Sequence, residues 1–112
     1  MTVRPTIFVT KMTEDALLTP ILYGIEEEGI PYEEVVTTKL TIVEAAYELA
    51  VNSPLSVGVV VNNQEAVLHY KNLPADEPLF QIGLSTEELM KLGTNAARLV
   101  KGIPFKGLKE VK

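Results

Sequence analysis

The chain has no cysteine and no tryptophan, and it contains a single histidine among its 112 residues. Without thiols it forms no disulfide, has no cysteine nucleophile and holds no metal through sulfur. No apolar run approaches the ~20 residues that a membrane-spanning helix needs, and the first residues show no signal-peptide pattern. We therefore expect a cytoplasmic protein without membrane contact.

Motifs for catalysis and nucleotide binding are missing as well. The sequence contains neither a G-x-x-x-x-G-K-[ST] loop nor a G-x-G-x-x-G turn, so we expect no ATP to bind to this chain alone. His69 has no orienting partner in the sequence, and we interpret it as a structural or exposed residue rather than a general base. No catalytic residue is assigned.

Positive charge is scarce over most of the chain. Residues 1–90 carry four Lys or Arg against 14 Asp or Glu, whereas residues 91–112 carry six against one, for a net charge of −5. The acidic body disfavours nucleic-acid binding, which needs a basic surface. The basic tail is either a solvated end or a contact for an acidic partner.

Periodicity and capping signals predict three helices. The apolar positions between Leu17 and Ile25 have helical spacing, and Pro20 indicates a start near Leu17–Thr19 or a kink there. Capping boxes at Thr41-x-x-Glu44 and Ser85-x-x-Glu88 open the second and third helices. The third is expected to run to about Lys101, where Gly102 ends it.

Short runs of β-forming residues predict the strands Thr6–Val9, Tyr32–Thr38, Val57–Val61, Ala66–Tyr70 and Leu79–Ile82. The order β-α-β-α-β-β-β-α contains two strand–helix–strand crossovers, which imply parallel pairing, and one hairpin. We expect one domain over residues 1–112: a three-layer α/β/α sandwich with a mixed, mostly parallel sheet.

Three consecutive glutamates, Glu26, Glu27 and Glu28, lie at the predicted end of the first helix. A helix C-terminus carries partial negative charge, so carboxylates there are unfavourable by typically ~0.3–1 kcal/mol each. They are either a solvated acidic end or a group whose charge is offset by a partner cation or a metal ion. Mg²⁺ and Ca²⁺ take such oxygens, often from more than one chain.

Gly93 interrupts the third helix at a cost near ~1 kcal/mol relative to alanine, and it is followed by small and polar residues that include Asn95. Two interpretations remain open. The segment packs the helix against its own sheet, or it forms a contact surface for another subunit.

Four phrases of the sequence recur in one family: GIEEEGIPYE (Gly24–Glu33), NSPLSVGVVV (Asn52–Val61), LPADEPLF (Leu73–Phe80) and LGTNAARLVKGIP (Leu92–Pro104). Together they resemble the small subunit of the diol/glycerol dehydratase reactivating factor. They are also similar to the medium subunit of the adenosylcobalamin-dependent dehydratases. The resemblance implies a fold like that of anticodon-binding domains.

The resemblance also implies partners. It predicts a non-catalytic subunit of a heterotetramer whose large subunit is a chaperone-like ATPase, with transient contact to the dehydratase large subunit. Glu27 matches a glutamate that completes a Mg²⁺ or Ca²⁺ site shared with the large subunit. Glu26, Glu28, Gly93 and Asn95 are the expected interface residues. No cobalamin is expected on this chain alone, and the complex is expected in the cytoplasm or a bacterial microcompartment.

Two other functions remain open. In the first, the chain is a medium subunit of the dehydratase itself, although we expect that subunit to carry a longer N-terminal segment. Alternatively, it is a stand-alone domain that binds a small molecule or nucleic acid, which the acidic body disfavours.

Overall fold

The computed structural model describes residues 4–13 and 15–107. Its strands are β1 (Ile7–Lys11), β2 (Tyr32–Glu34), β3 (Val57–Val61), β4 (Ala66–Tyr70) and β5 (Phe80–Ile82). Its helices are α1 (Asp15–Glu27), α2 (Ile42–Asn52) and α3 (Thr86–Lys101). The predicted order of elements is confirmed. No helix in the described ranges is long and apolar enough to cross a membrane.

The five strands form one sheet in the order β2-β1-β3-β4-β5. β1 is parallel to both β2 and β3, whereas β4 is antiparallel to both β3 and β5. The mixed sheet is therefore confirmed. The expectation that it is mostly parallel is corrected to equal numbers of parallel and antiparallel pairings, because β4 and β5 each return along the preceding strand.

Helices cover both faces of the sheet, which confirms the three layers. On one face α1 and α3 pack on the alternate side chains Val57, Val59 and Val61 of β3. On the other face α2 packs on Val60. Gly58 allows this second approach to be close, since a β-carbon there would lie 2.6 Å from the main-chain nitrogen of Ala50. The continuous apolar run of β3 is buried on both sides, as its composition predicted.

The N-caps of both predicted capping boxes, Thr41 and Ser85, are confirmed. Thr41 Oγ1 accepts a hydrogen bond from the main-chain nitrogen of Glu44 at 3.4 Å, and Ser85 Oγ accepts one from that of Glu88 at 3.1 Å. Gly102 ends α3 in the left-handed conformation with φ 72°. These local signals set the helix ends because each is satisfied within four residues.

Helix α1 differs from its prediction. It begins at Asp15, ahead of the Leu17–Thr19 start, and Pro20 lies inside it. Proline gives up a main-chain hydrogen bond and crowds the preceding turn. The buried side chains of Leu18, Ile21 and Ile25 offset this cost by anchoring the helix to the core on both sides of Pro20.

Candidate functional site

The acidic end of α1 lies against the end of α3. Helix α1 stops at Glu27, and Gly29 turns the chain with φ 77°. Glu28 Oε1 accepts a hydrogen bond from Lys101 Nζ at 2.8 Å, and Arg98 Nη2 lies 3.4 Å from Glu28 Oε2. Lys101 Nζ also donates to the main-chain oxygen of Glu28 at 3.0 Å. The charge of Glu28, which looked unfavourable in the sequence, is thus offset within the chain.

The Glu28 side chain is only 15% exposed. The hydrogen bond from Lys101 is the largest influence on its carboxylate and holds the pKa of Glu28 below the ordinary value of 4.5, with further help from the charges of Lys101 and Arg98. Desolvation opposes this effect. Glu28, an expected partner contact, is therefore already paired within the chain.

Glu26 is exposed but also has a partner. The Tyr32 hydroxyl, at the start of β2, donates a hydrogen bond to Glu26 Oε1 at 3.0 Å. This hydrogen bond raises the pKa of Tyr32, since loss of the phenol proton would place two negative charges together. The contact joins the last turn of α1 to the strand that follows it.

Glu27 differs from both neighbours. Its side chain is exposed and has no hydrogen bond or ion pair with any other described residue. A carboxylate with free oxygens is a fitting ligand for a hard cation such as Mg²⁺. Over residues 4–13 and 15–107 no three Asp, Glu, His or Cys side chains are grouped to hold a metal ion. Within the described ranges Glu27 therefore does not belong to a group of three such ligands.

Tyr23 lies one helical turn before Glu27, and the spacing of four residues puts both on one face of α1. Its side chain is 56% exposed. Its exposure was not predicted from the sequence. The sequence held one signal for this exposure: Tyr23 lies outside the apolar stripe formed by Leu17, Leu18, Ile21, Leu22 and Ile25.

Gly93 and Asn95, the other expected interface residues, lie inside the chain. A β-carbon on Gly93 would lie 2.8 Å from the carbonyl carbon of Ile21 in α1, and one on Gly24 would lie 2.7 Å from the main-chain nitrogen of Thr94. The glycines let α1 and α3 cross in contact. Gly93 therefore packs within the chain, as one of the two interpretations expected. Its partner is the neighbouring helix α1 rather than the sheet.

Asn95 is completely buried. Its Nδ2 donates to the main-chain oxygen of Lys106 at 2.8 Å, and its Oδ1 accepts from the main-chain nitrogen of Lys106 at 2.7 Å. Arg98 Nη1 donates to the main-chain oxygen of Pro104 at 3.1 Å. Asn95 therefore holds the segment after α3 in place.

His69 is fully buried, which confirms its interpretation as a structural residue. Its Nδ1 accepts from the main-chain nitrogen of Tyr70 at 2.9 Å, which leaves Nε2 to donate to the carbonyl of Ala75 at 3.1 Å. Neither ring nitrogen remains for a substrate, a metal or a cofactor.

A cleft beside α2 has a volume of about 350 Å³ and is lined by Lys39, Glu44, Tyr47, Glu48, Val51, Asn52 and Ala75. Two of its carboxylates are already engaged: Glu44 with Thr41, and Glu48 with Thr37. The exposed side chains of Val36 and Leu40 lie on the preceding loop.

Comparison with known proteins gives a consistent result over nearly the whole chain. The family model described as the dehydratase medium subunit matches residues 4–106. The chain is 44% identical over 107 residues to the propanediol dehydratase-reactivating factor small subunit of Salmonella typhimurium, covering 93% of this chain and 92% of that protein. It is 45% identical over 96 residues to the diol dehydratase-reactivating factor small subunit of Klebsiella michiganensis, covering 84% and 77%.

The fold has a solved counterpart. A structure described as diol dehydratase-reactivating factor complexed with ADP and Mg²⁺ matches with a TM-score of 0.87 and 41% identity, covering 94% of this chain and 100% of that one. The α/β architecture and the resemblance found in the sequence are both supported by this match.

Proposed function

The chain belongs to the dehydratase medium subunit family, and we propose that it acts as the non-catalytic small subunit of an ATP-dependent reactivating factor for an adenosylcobalamin-dependent diol or glycerol dehydratase. One observation carries the proposal. The family model describes a subunit of the enzyme, whereas the relatives that match along most of the chain are small subunits of the factor that reactivates it. A protein built like an enzyme's subunit has the shape needed to take that subunit's place.

The proposed mechanism is an exchange of similar interfaces. A dehydratase stops when its cofactor loses the adenosyl group and the damaged cobalamin stays bound. The large subunit of the factor hydrolyses ATP, and the small subunit competes with the medium subunit of the dehydratase for the dehydratase large subunit. Displacement of the medium subunit opens the site, so the damaged cobalamin leaves and intact cofactor enters.

The residues of this chain support a role without bond chemistry. The only histidine is buried with both nitrogens bonded to the main chain, so no imidazole is free to ligate cobalt. The sequence has no phosphate-binding loop. Under this proposal neither cobalamin nor ATP binds to the chain alone, and the complex works in the cytoplasm or in a bacterial microcompartment.

The outward face of α1 is the proposed contact with the large subunit of a heterotetramer. Glu27 supplies an exposed carboxylate that no described residue engages, and Tyr23 supplies an exposed aromatic surface one turn away. Tyrosine is enriched among the residues that dominate interface energies. A Mg²⁺ or Ca²⁺ ion shared with the large subunit would take Glu27 as one ligand and neutralise charge between the chains.

The direct test is to purify the chain with its large subunit and with a dehydratase inactivated by a cobalamin that lacks the adenosyl group. We expect ATP-dependent recovery of dehydratase activity only when both subunits are present, together with release of the dehydratase medium subunit. Recovery by the large subunit alone would contradict the proposal, as would ATP hydrolysis by the isolated small chain.

The second candidate is the medium subunit of the dehydratase, which the description of the matching family model favours. The same experiment separates the two functions. Stable incorporation of the chain into an active dehydratase, without displacement of another subunit, would make it part of the enzyme.

A further inference from the structure

The two neighbours of Glu27 in the sequence are both tied to other parts of the chain. Glu28 is held by Arg98 and Lys101 of α3, a set that we call the Glu28 clamp. Glu26 accepts from Tyr32 of β2. Glu27 has no such bond to any other described residue. The last turn of α1 is thus fixed on either side of Glu27, whose carboxylate has no partner among the residues that the structure describes.

The clamp acts where a helix is weakest. The last carbonyl groups of a helix have no partner within it, so helix ends tend to fray. Lys101 Nζ donates to the main-chain oxygen of Glu28 at 3.0 Å and to its side chain at 2.8 Å. One ammonium group therefore holds both the main chain and the side chain of the residue next to Glu27.

Arg98 reinforces the clamp from the same helix. Its Nε and Nη2 both lie 3.4 Å from Glu28 Oε2, while its Nη1 donates to the main-chain oxygen of Pro104. The arginine is itself anchored, and its side chain is 25% exposed. The last turn of α1 is thereby coupled to α3 and to the segment that follows α3.

We infer that Arg98 and Lys101 are positioning residues for Glu27. By holding Glu28 they fix the end of α1, so that the Glu27 carboxylate faces the large subunit in one orientation and needs little ordering when it meets a divalent cation. This inference rests on the proposed function, because it takes Glu27 to be a ligand of the shared ion. Groups that orient a metal ligand alter metal affinity without touching the metal.

Charge alone predicts the opposite result. Lys101 and Arg98 are cations near a proposed cation site, and removing one of them would favour a divalent ion if electrostatics were the only effect. Positioning predicts that the ion binds less well when Lys101 is lost. The direction of change therefore tests the inference.

The experiment uses the full chain with its large subunit and titrates Mg²⁺ while complex formation is followed. For Lys101→Met we expect the Mg²⁺ concentration at half-maximal assembly to rise roughly tenfold, at the lower end of the effect of residues that orient metal ligands. Lys101→Arg keeps a donor for both Glu28 oxygens and should stay within about twofold of wild type. Lys71→Met removes an exposed lysine after β4 and should leave the titration unchanged.

A second measurement follows amide hydrogen exchange in the isolated chain. Lys101→Met should speed exchange at Glu28 and Gly29, while the exchange of the buried strand β3 stays as in wild type. Faster exchange throughout the chain would mean general destabilisation and would overturn the positioning role.

Glu27→Gln separates failure of this inference from failure of the proposed metal site. If Glu27→Gln abolishes the Mg²⁺ dependence while Lys101→Met matches wild type or needs less Mg²⁺, the inference is overturned and the metal site stands. If Glu27→Gln keeps the full Mg²⁺ dependence, the metal site is wrong and the inference falls with it.

Discussion

Gly93 of α3 lies directly against Ile21 of α1, so close that a β-carbon on the glycine would overlap the isoleucine carbonyl oxygen. The contact sets the crossing of the two helices that cover one face of the sheet. It also links the helix that carries Glu27 to the helix that carries the Glu28 clamp. The first prediction follows from it.

Gly93→Ala should lower the free energy of unfolding by about 2 kcal/mol. So close an approach to main-chain atoms places the cost at the upper end of the roughly 1–3 kcal/mol typical of overpacking, and the better helix propensity of alanine returns only ~1 kcal/mol of it. Urea denaturation measures the change. Gly83→Ala is the matched control, because a β-carbon there meets nothing within 4 Å. Equal stability of the two variants would show that α1 and α3 can separate at no cost.

Asn95→Ala should release the segment after α3. The substitution removes two hydrogen bonds to Lys106 from a buried side chain, at a cost of about 1–3 kcal/mol. We expect faster amide exchange at Lys106 and faster proteolysis within residues 103–107. Asn72→Ala, at an exposed position, is the control. Unchanged exchange at Lys106 would mean that other contacts hold the segment.

The ion pairs of Glu28 should make stability depend on pH. The pKa of Glu28 is lowered from 4.5 in the folded chain, so the folded state favours the charged carboxylate. Its contribution is fully present above the unfolded value near 4.5 and is lost as the pH falls through the folded value. Glu28→Gln should therefore lose less stability than wild type as the pH is lowered below about 4.5.

An NMR titration of the Glu28 carboxylate provides the direct measurement. We expect its midpoint below 4.5 in wild type and a higher midpoint in Lys101→Met, because Lys101 is the largest influence that lowers it. A midpoint at or above the ordinary glutamate value in wild type would show that the clamp is absent in solution.

Tyr23→Ala should weaken binding to the large subunit by about tenfold, since loss of a tyrosine that anchors an interface typically costs more than 1 kcal/mol. The side chain is 56% exposed, so stability should change by less than about 0.5 kcal/mol. Affinity is measured by calorimetry at fixed Mg²⁺. Leu40→Ala, at a side chain 92% exposed on the loop before α2, is the control. A larger loss at Leu40 than at Tyr23 would move the interface to that loop.

Features that depend on neighbours in the chain were predicted correctly from the sequence. The caps at Thr41 and Ser85 each bond within three residues, and the apolar run Val57–Val61 requires burial on both faces wherever it lies. The four phrases that carry the family resemblance are also contained in the sequence alone. The architecture and the relationship to reactivating-factor small subunits followed from these features.

The site depended on contacts between distant residues, and these only the tertiary structure decided. Glu28 meets Lys101 across 73 positions of the chain, and no local pattern predicts that pairing. The acidic triplet therefore appeared uniform in the sequence, whereas the fold engages the carboxylates of Glu26 and Glu28 and leaves that of Glu27 without a partner among the described residues. The same reason applies to Pro20 and Gly93. Helix propensity disfavours both residues inside a helix, but the packing between α1, α3 and the core outweighs that cost.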